Sequence, residues 1–333
     1  MNNVGISIII PTFNRRELLC HALDSIRKQE FRPIEIIVVD DGSIDGTKES
    51  VTAWVRNVGK NETLNLKYLQ QTNRGPGAAR NAGLREASGA FVLFLDSDDM
   101  LADDGLSKLY KHVMEDSAVV GGAIEFVEQD SKLNRLFLPI QEGCRAALDD
   151  YIRGSLSINC GCWLTSTKLA KSVAPFPEDI FIAEDSIYFL GLIQASSKVI
   201  RVMEPVLILR AHTSGRLTDN TGTLKAKKAE ARYMTACAQA IFKDSTVIAA
   251  DTQNQIASKI LRLAMQFWTY ERQYSEQLIT IAHKINANVS PEYKNIFAKI
   301  LWRLSGVPVC GTAYSIGRNI VELKFCLVSI FKR

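Results

Sequence analysis

Apolar and polar positions alternate along the first hundred residues in a pattern that keeps switching between strand and helix. Ile6-Ser7-Ile8-Ile9-Ile10 is almost wholly apolar and stops at Pro11. Such a run predicts a strand buried on both faces. Leu18, Leu19, Ala22, Leu23 and Ile26 then recur at helical spacing and predict a helix over 15–28. Ile34 to Val39 predicts a second strand, closed by Asp40-Asp41-Gly42-Ser43. A helix to residue 58 follows, with Val51, Trp54 and Val55 expected on its inner face. Leu64–Gln70 predicts a third strand, Ala78–Ala87 a short helix and Ala90–Leu95 a fourth strand. A helix over Asp103–Val113 and strands over Val119–Glu128 and Leu136–Pro139 continue the series. This alternation predicts an α/β class, with a mostly parallel, Rossmann-like sheet covered by helices on both faces.

From 144 to 215 the pattern is irregular. A helix is predicted over Glu184–Ala195, and strands over Val199–Met203 and Val206–Arg210. After residue 222 every strong signal is helical: Leu224–Phe242, Val247–Tyr270, Gln273–Ile285 and two amphipathic pieces beyond Pro291. Thr218–Thr223 is the candidate boundary between a domain at 1–220 and a helical region at 221–333.

Charge sharpens that division. Residues 221–333 hold 16 Lys/Arg and 7 Asp/Glu, a balance of +9; the remainder holds 24 and 29, a balance of −5. The basic residues of the tail are interleaved with apolar ones and form no nucleic-acid-binding motif, so no nucleic-acid partner is expected. From Lys294 to Arg333 seven basic residues and one acidic residue, Glu322, alternate with Trp302, Phe325, Phe331 and aliphatic side chains. That pattern suits a helix lying on an anionic membrane surface. It equally suits a helical subdomain packed on the catalytic core or on a second copy of the chain. No run approaches the roughly 18 apolar residues of a spanning helix. Met1-Asn2-Asn3-Val4-Gly5 lacks the basic stretch of a signal peptide. The seven cysteines are odd in number and scattered, which reads as reduced thiols in a cytoplasmic protein rather than a disulfide framework or a zinc site. The expected location is the cytoplasm, peripheral on the inner face of the cell membrane.

The candidate chemistry lies at the strand ends. Phe91-Val92-Leu93-Phe94-Leu95 runs directly into Asp96-Ser97-Asp98-Asp99. A buried strand has no use for three carboxylates, so they emerge at its C-terminal edge, where open α/β sheets bind ligands. Asp96 and Asp98, two residues apart on extended chain, point the same way. Their oxygens suit Mg²⁺ or Mn²⁺ bridging to a diphosphate; the same residues also suit a polar turn and a helix N-cap. The other strands end in Pro11-Thr12-Phe13-Asn14-Arg15, in Asp40-Asp41-Gly42-Ser43 and in Gln71 to Asn81. Phe13 offers a flat face for a base, and Asp41 an acceptor for a ring N–H. Gly75 and Gly77 permit close backbone approach, the following helix points its N-terminus at anions, and Arg80 reaches a phosphate or base carbonyl.

These stretches together resemble family 2 glycosyltransferases with the GT-A fold. The residues that carry the likeness are Ser7–Asn14, Val38–Thr47, Asn73–Gly83 and Phe94–Asp99. The resemblance implies a nucleotide-sugar donor, usually a UDP-sugar, bound with a divalent metal. It implies that Pro11, Phe13, Asp41, Asn73 and Arg80 face the nucleoside and that Asp96 and Asp98 are the family's D-x-D pair. Ile182-Ala183-Glu184-Asp185-Ser186 resembles the Glu-Asp motif that opens the acceptor-side helix, which maps the general base onto Asp185; the bland alternative is helix capping. Arg210-Ala211-His212 to Arg216 resembles the basic segment after the last core strand, with His212 as a further metal or phosphate ligand and Arg210 or Arg216 facing the leaving diphosphate. A surface histidine is the competing reading. The expected acceptor is a saccharide or a lipid-linked saccharide. One base and one metal imply single displacement with inversion. A nucleotidyltransferase would place a Gly-rich loop after the first strand, where Pro11–Arg15 has no glycine; a non-catalytic sugar-nucleotide or glycan-binding protein is the other alternative.

Overall fold

A computed structural model describes residues 5–59, 63–127, 132–137, 144–153, 159–211, 223–246, 248–268 and 271–289. The chain divides into two compact units, residues 1–221 and 222–333.

The first unit begins with three βα repeats and a fourth strand. β1 (Ile6–Thr12), β2 (Ile34–Asp40), β3 (Leu64–Gln70) and β4 (Phe91–Phe94) are parallel, in the order β3-β2-β1-β4. β1 and β2 are buried along their whole length, as unbroken Ile/Val runs require. α1 (Arg16–Arg27) buries Leu19, Ala22, Leu23 and Ile26. α2 (Thr47–Val58) buries Val51, while Val55, expected inside, is 41% exposed. α3 (Pro76–Glu86) is enclosed by packing, with Gly77, Ala78, Ala79, Arg80, Asn81, Gly83 and Leu84 all buried. At the strand starts, away from these loops, Glu35 is buried but accepts from Ser7 Oγ at 2.6 Å, Ser88 N at 3.0 Å and Lys67 Nζ at 2.7 Å. Burial would raise its pKa; these donors outweigh it and hold the carboxyl below its ordinary value.

Beyond β4 the sheet becomes mixed. β8 (Trp163–Ser166) inserts antiparallel between β4 and β6 (Ser117–Val127). β9 (Lys198–Ala211) runs parallel to β6, and β5 (Met100–Leu101) pairs antiparallel with β9 at the edge. β7 (Lys132–Phe137) pairs with β6 off this path. The two strands expected over 199–210 are one strand. Its register on β6 shifts on either side of Gly122, which pairs with Pro205; the shifts take up Met203 and Glu204 before Pro205 and Val206 after it. The strand expected at Leu136–Pro139 is instead Lys132–Phe137, and the helix expected over Asp103–Val113 is shorter, α4 (Gly105–Tyr110). α5 (Cys144–Arg153), a 3-10 turn at Cys160–Cys162, α6 (Thr167–Ser172) and α7 (Glu184–Ala195) complete the unit. Trp163, Phe94, Phe176, Tyr188 and Phe189 form one aromatic cluster beneath the cleft, with Phe176 stacked on Tyr188 at 3.8 Å.

The second unit, as far as it is described, is three helices: α8 (Leu224–Lys243), α9 (Ala250–Phe267) and α10 (Arg272–Ile285). Thr223 caps α8 by accepting from Ala226 N at 3.1 Å. Ser275 Oγ donates to Ala264 O at 2.6 Å, tying α10 to α9. Among the described residues no helix is long and apolar enough to cross a membrane. The tail from Lys294 to Arg333, and with it the expected membrane-docking pieces, lies outside the described residues. Cys20, Cys160, Cys162 and Cys237 are free thiols.

Candidate active site

The strand-end loops of β1 to β4 meet the start of α7 and the end of β9 around one cleft of about 660 Å³. Each loop is shaped by polar groups that satisfy the chain locally. Asn14 N donates to Ser43 Oγ at 2.9 Å, and Asn14 Oδ1 accepts from Ile44 N at 2.9 Å, which joins the first two loops. Asp45 accepts from Arg16 N at 2.9 Å and Thr47 Oγ1 at 2.5 Å, which serves the starts of α1 and α2 together. Asp41 holds the third loop: its Oδ1 accepts from Gln71 Nε2 and Arg74 N, its Oδ2 from Gly75 N, each at 2.8 Å. A carboxylate offers about four acceptor positions, so Asp41 keeps one for a further donor. Gly75 has φ +89°, and a Cβ there would meet the Phe181 ring at 2.5 Å. A side chain is thus excluded at the N-terminus of α3 by conformation and by space.

Phe13 is 45% exposed at the cleft, with Pro11, Asn73 and Asp41 lining the same wall. The acidic run forms the floor. Arg80 Nη2 meets Asp96 Oδ1 at 2.7 Å, and its Nη1 meets Glu184 Oε1 at 2.7 Å. Arg80 is therefore a buried strut between the strand-end acids and α7; among the described residues its Nε has no hydrogen-bond partner. Arg15 Nη1 meets Asp98 Oδ2 at 2.8 Å. Desolvation and the charges of Asp96 and Asp98 push the Asp99 carboxyl well above the usual carboxylate range, against a backbone N–H from Arg210.

Asp185 stands on the opposite wall at the first turn of α7. Its Oδ1 accepts from Ser186 N at 2.7 Å, and the Cys160 thiol lies 3.9 Å from its Oδ2. Burial, then the charges of Glu184 and Asp96, against the pull of Arg80, push the Asp185 carboxyl up to about 6. Burial pushes the Cys160 thiol well above its ordinary value as well, so near neutral pH it is a protonated, weak donor.

Pro11, Phe13, Asp41, Asn73, Arg80, Asp96, Asp98 and Asp185 all line this cleft. Arg80 does so from the side, engaged by two carboxylates. His212 lies outside the described residues. Two contributors went unread in the sequence as partners of the site: Glu184, which anchors Arg80, and Cys160, whose spacing to Asp185 no local pattern reveals. As a metal site the donor set is all oxygen, which suits Mg²⁺ or Mn²⁺. Among the described residues no three His, Cys, Asp or Glu side chains converge on one point. Asp96 and Asp98 fit a cation that takes its remaining ligands from phosphate and water, the usual habit of Mg²⁺.

A parallel sheet that turns mixed, with a strand-end acidic pair facing a carboxylate at a helix start, defines the GT-A fold class. Residues 7–170 match the model of Glycosyl transferase family 2, and the N-terminal domain of this chain belongs to that family. The GalNAc(5)-diNAcBac-PP-undecaprenol beta-1,3-glucosyltransferase of Campylobacter jejuni is 42% identical over 134 residues, 40% of this chain and 41% of that protein. The minor teichoic acid biosynthesis protein GgaA of Bacillus subtilis is 32% identical over 200 residues, 56% of this chain and 43% of that protein. The match thus spans under half the length of either relative. Residues 1–349 of TarS from S. aureus, solved in complex with UDP-GlcNAc, superpose with a TM-score of 0.62 at 20% identity, covering 95% of this chain and 93% of that one; this likeness shows the fold.

Proposed function

We propose that this chain is an inverting glycosyltransferase that moves a sugar from a UDP-sugar to a saccharide or lipid-linked saccharide, with Asp185 as general base. The observation that carries the reading is the Asp185 carboxyl, raised to about 6, facing four ligand-shaped strand-end loops across one cleft. A base with that pKa is ionised at neutral pH and still basic enough to take a hydroxyl proton. Phe13 stacks on the base, and the spare acceptor position of Asp41 takes the ring N–H. Pro11 and Asn73 line the nucleoside wall. Asp96 and Asp98 would hold Mg²⁺ or Mn²⁺, which when bound would neutralise charge on the departing diphosphate. Arg210 adds a cation on that side.

The likeness to a structure holding UDP-GlcNAc supports a UDP-sugar donor, and a relative named for a PP-undecaprenol-linked glycan supports a lipid-linked acceptor. The basic, aromatic stretch Lys294–Arg333 serves such an acceptor by docking on anionic membrane from the cytoplasmic side; packing between copies of the chain is the alternative role. Flotation with anionic and neutral vesicles tests the docking, and a full chain that ignores anionic vesicles at low salt refutes it.

The deciding test is Asp185→Asn. Turnover is expected to fall by at least about 10²-fold, the lower end for losing a general base, with UDP affinity nearly unchanged. Turnover within a few-fold of the native chain refutes the role, and a product that retains the donor's anomeric configuration refutes single displacement.

A further inference from the structure

The two acids of the strand-end pair are each held by an arginine, and the two arginines are not equivalent. Arg80 is 5% exposed and shared with Glu184, itself 6% exposed. Its departure would strand a buried carboxylate. Arg15 sits in the loop before α1; its side chain is 24% exposed, and Asp98 beside it is 17% exposed. Breaking this second pair costs little, because water reaches both ends. Both Arg15 and Asp98 line the cleft.

The geometry points to Arg15 as an exchange cation: it neutralises Asp98 while the donor site is empty, and turns from Asp98 to the donor's diphosphate when a divalent cation claims the Asp98 oxygens. This inference rests on the metal reading given under the proposed function. Arg15 and a divalent cation compete for one carboxylate, and positive charges held that close repel. A second anion, the diphosphate, arrives in the same cleft with the cation. A guanidinium forks onto phosphate oxygens as readily as onto a carboxylate. The charge that keeps the acidic run compact in the empty site is thereby reused on the leaving group. Arg15 acts as a positioning residue for Asp98 before loading and as a phosphate ligand after it.

The test measures Mn²⁺ alone against the full chain by the free-ion electron paramagnetic resonance signal, for the native protein, Arg15→Gln and Arg15→Lys. UDP is then titrated calorimetrically at saturating Mn²⁺. Arg15→Gln should bind Mn²⁺ about fivefold more tightly, the scale of a partly exposed ion pair. It should bind UDP about tenfold more weakly once Mn²⁺ is present, for loss of a charge-assisted contact. Arg15→Lys keeps the charge and should stay within about twofold of native on Mn²⁺. Thermal melts confirm that each variant is folded. Mn²⁺ binding by Arg15→Gln that is unchanged or weaker overturns the exchange and leaves the metal reading standing. A native chain that binds no Mn²⁺, with or without UDP, overturns the metal reading and the exchange together.

Discussion

The two walls of the cleft are built in different ways. The wall proposed to hold the donor rests on three successive βα units and a fourth strand, each strand directly hydrogen-bonded to a neighbour and its loops tied by groups such as Asn14, Asp41 and Asp45. The acceptor wall rests on pairings far apart in sequence: Phe91 with Ser166, Val120 with Trp163, Met100 with Ile208. The loops of β1 to β3 are held to one another by polar contacts between successive loops, 29 to 34 residues apart in sequence, whereas Asp185 owes its position to an aromatic cluster, a thiol and a strut from α3. On the proposed function, donor binding and acceptor activation are thus separable mechanically and joined electrostatically, through Arg80.

Cutting that joint should have the largest effect. Arg80→Leu leaves Glu184 buried and unpaired, a loss of about 3–5 kcal/mol. In a domain of this size that lowers the melting temperature by of order 10 °C, and turnover should vanish because both walls lose their spacing; a melt within about 2 °C of native would show the walls to be independent. Gly75→Ala strains only the donor wall. Positive φ and the Phe181 contact cost about 1–3 kcal/mol, so UDP should bind at least about tenfold more weakly while the Asp185 limb of the pH profile stays put. Phe13→Ala removes one stacking face and should weaken UDP by about tenfold without changing stability, since the ring is already half exposed.

The smallest effect is on pH. A base at Asp185, as proposed above, works only when ionised, so turnover should rise through a half-point near 6 and fall away below it. Cys160→Ser substitutes a stronger donor for the thiol near Asp185 Oδ2 and should move that half-point down, whereas Cys160→Ala should move it up; a limb that stays fixed in both would detach Cys160 from the base. The stability sign is the reverse of the usual carboxylate. The Asp185 pKa is raised on folding, so the native state binds more protons between the unfolded value near 3.8 and about 6. This group's contribution therefore weakens as pH rises through that window, which pH-dependent urea melts of native protein and Asp185→Asn can compare.

Legibility followed the same division. The donor wall was readable because its strands are long apolar runs and its loops carry polar residues where no turn needs so many: Ile6–Ile10 before Phe13, Ile34–Val39 before Asp41, Phe91–Leu95 before the acidic run. β8 escaped because Trp163-Leu164-Thr165-Ser166 is four residues without alternation, and α5 because its start falls in an irregular stretch. Val199–Met203 and Val206–Arg210 read as two strands because Pro205 interrupts them, and only the partner strand's glycines disclose the bulge that joins them. The strand end marks Asp96, the family motif marks Glu184, and Arg80 reads as a phosphate or base ligand. Its bridge between the two acids goes unread, since a contact spanning 104 residues leaves no local trace.

The antiparallel insertion of β8 also sets an order of assembly. A chain leaving the ribosome presents β1 to β4 with their mutual pairings complete, and domains generally fold as they emerge. The edge of β4 then stays open until residues 163–166 arrive to cover it, and β6 finds its β9 partner only after residue 198. Loop closure over such separations is slow. The wall built on β1 to β4 is therefore the older structure in each molecule's life, and β9, which closes the cleft at Arg210, is fitted after α7 and Asp185. Pulsed hydrogen exchange should read protection in β1 before β8.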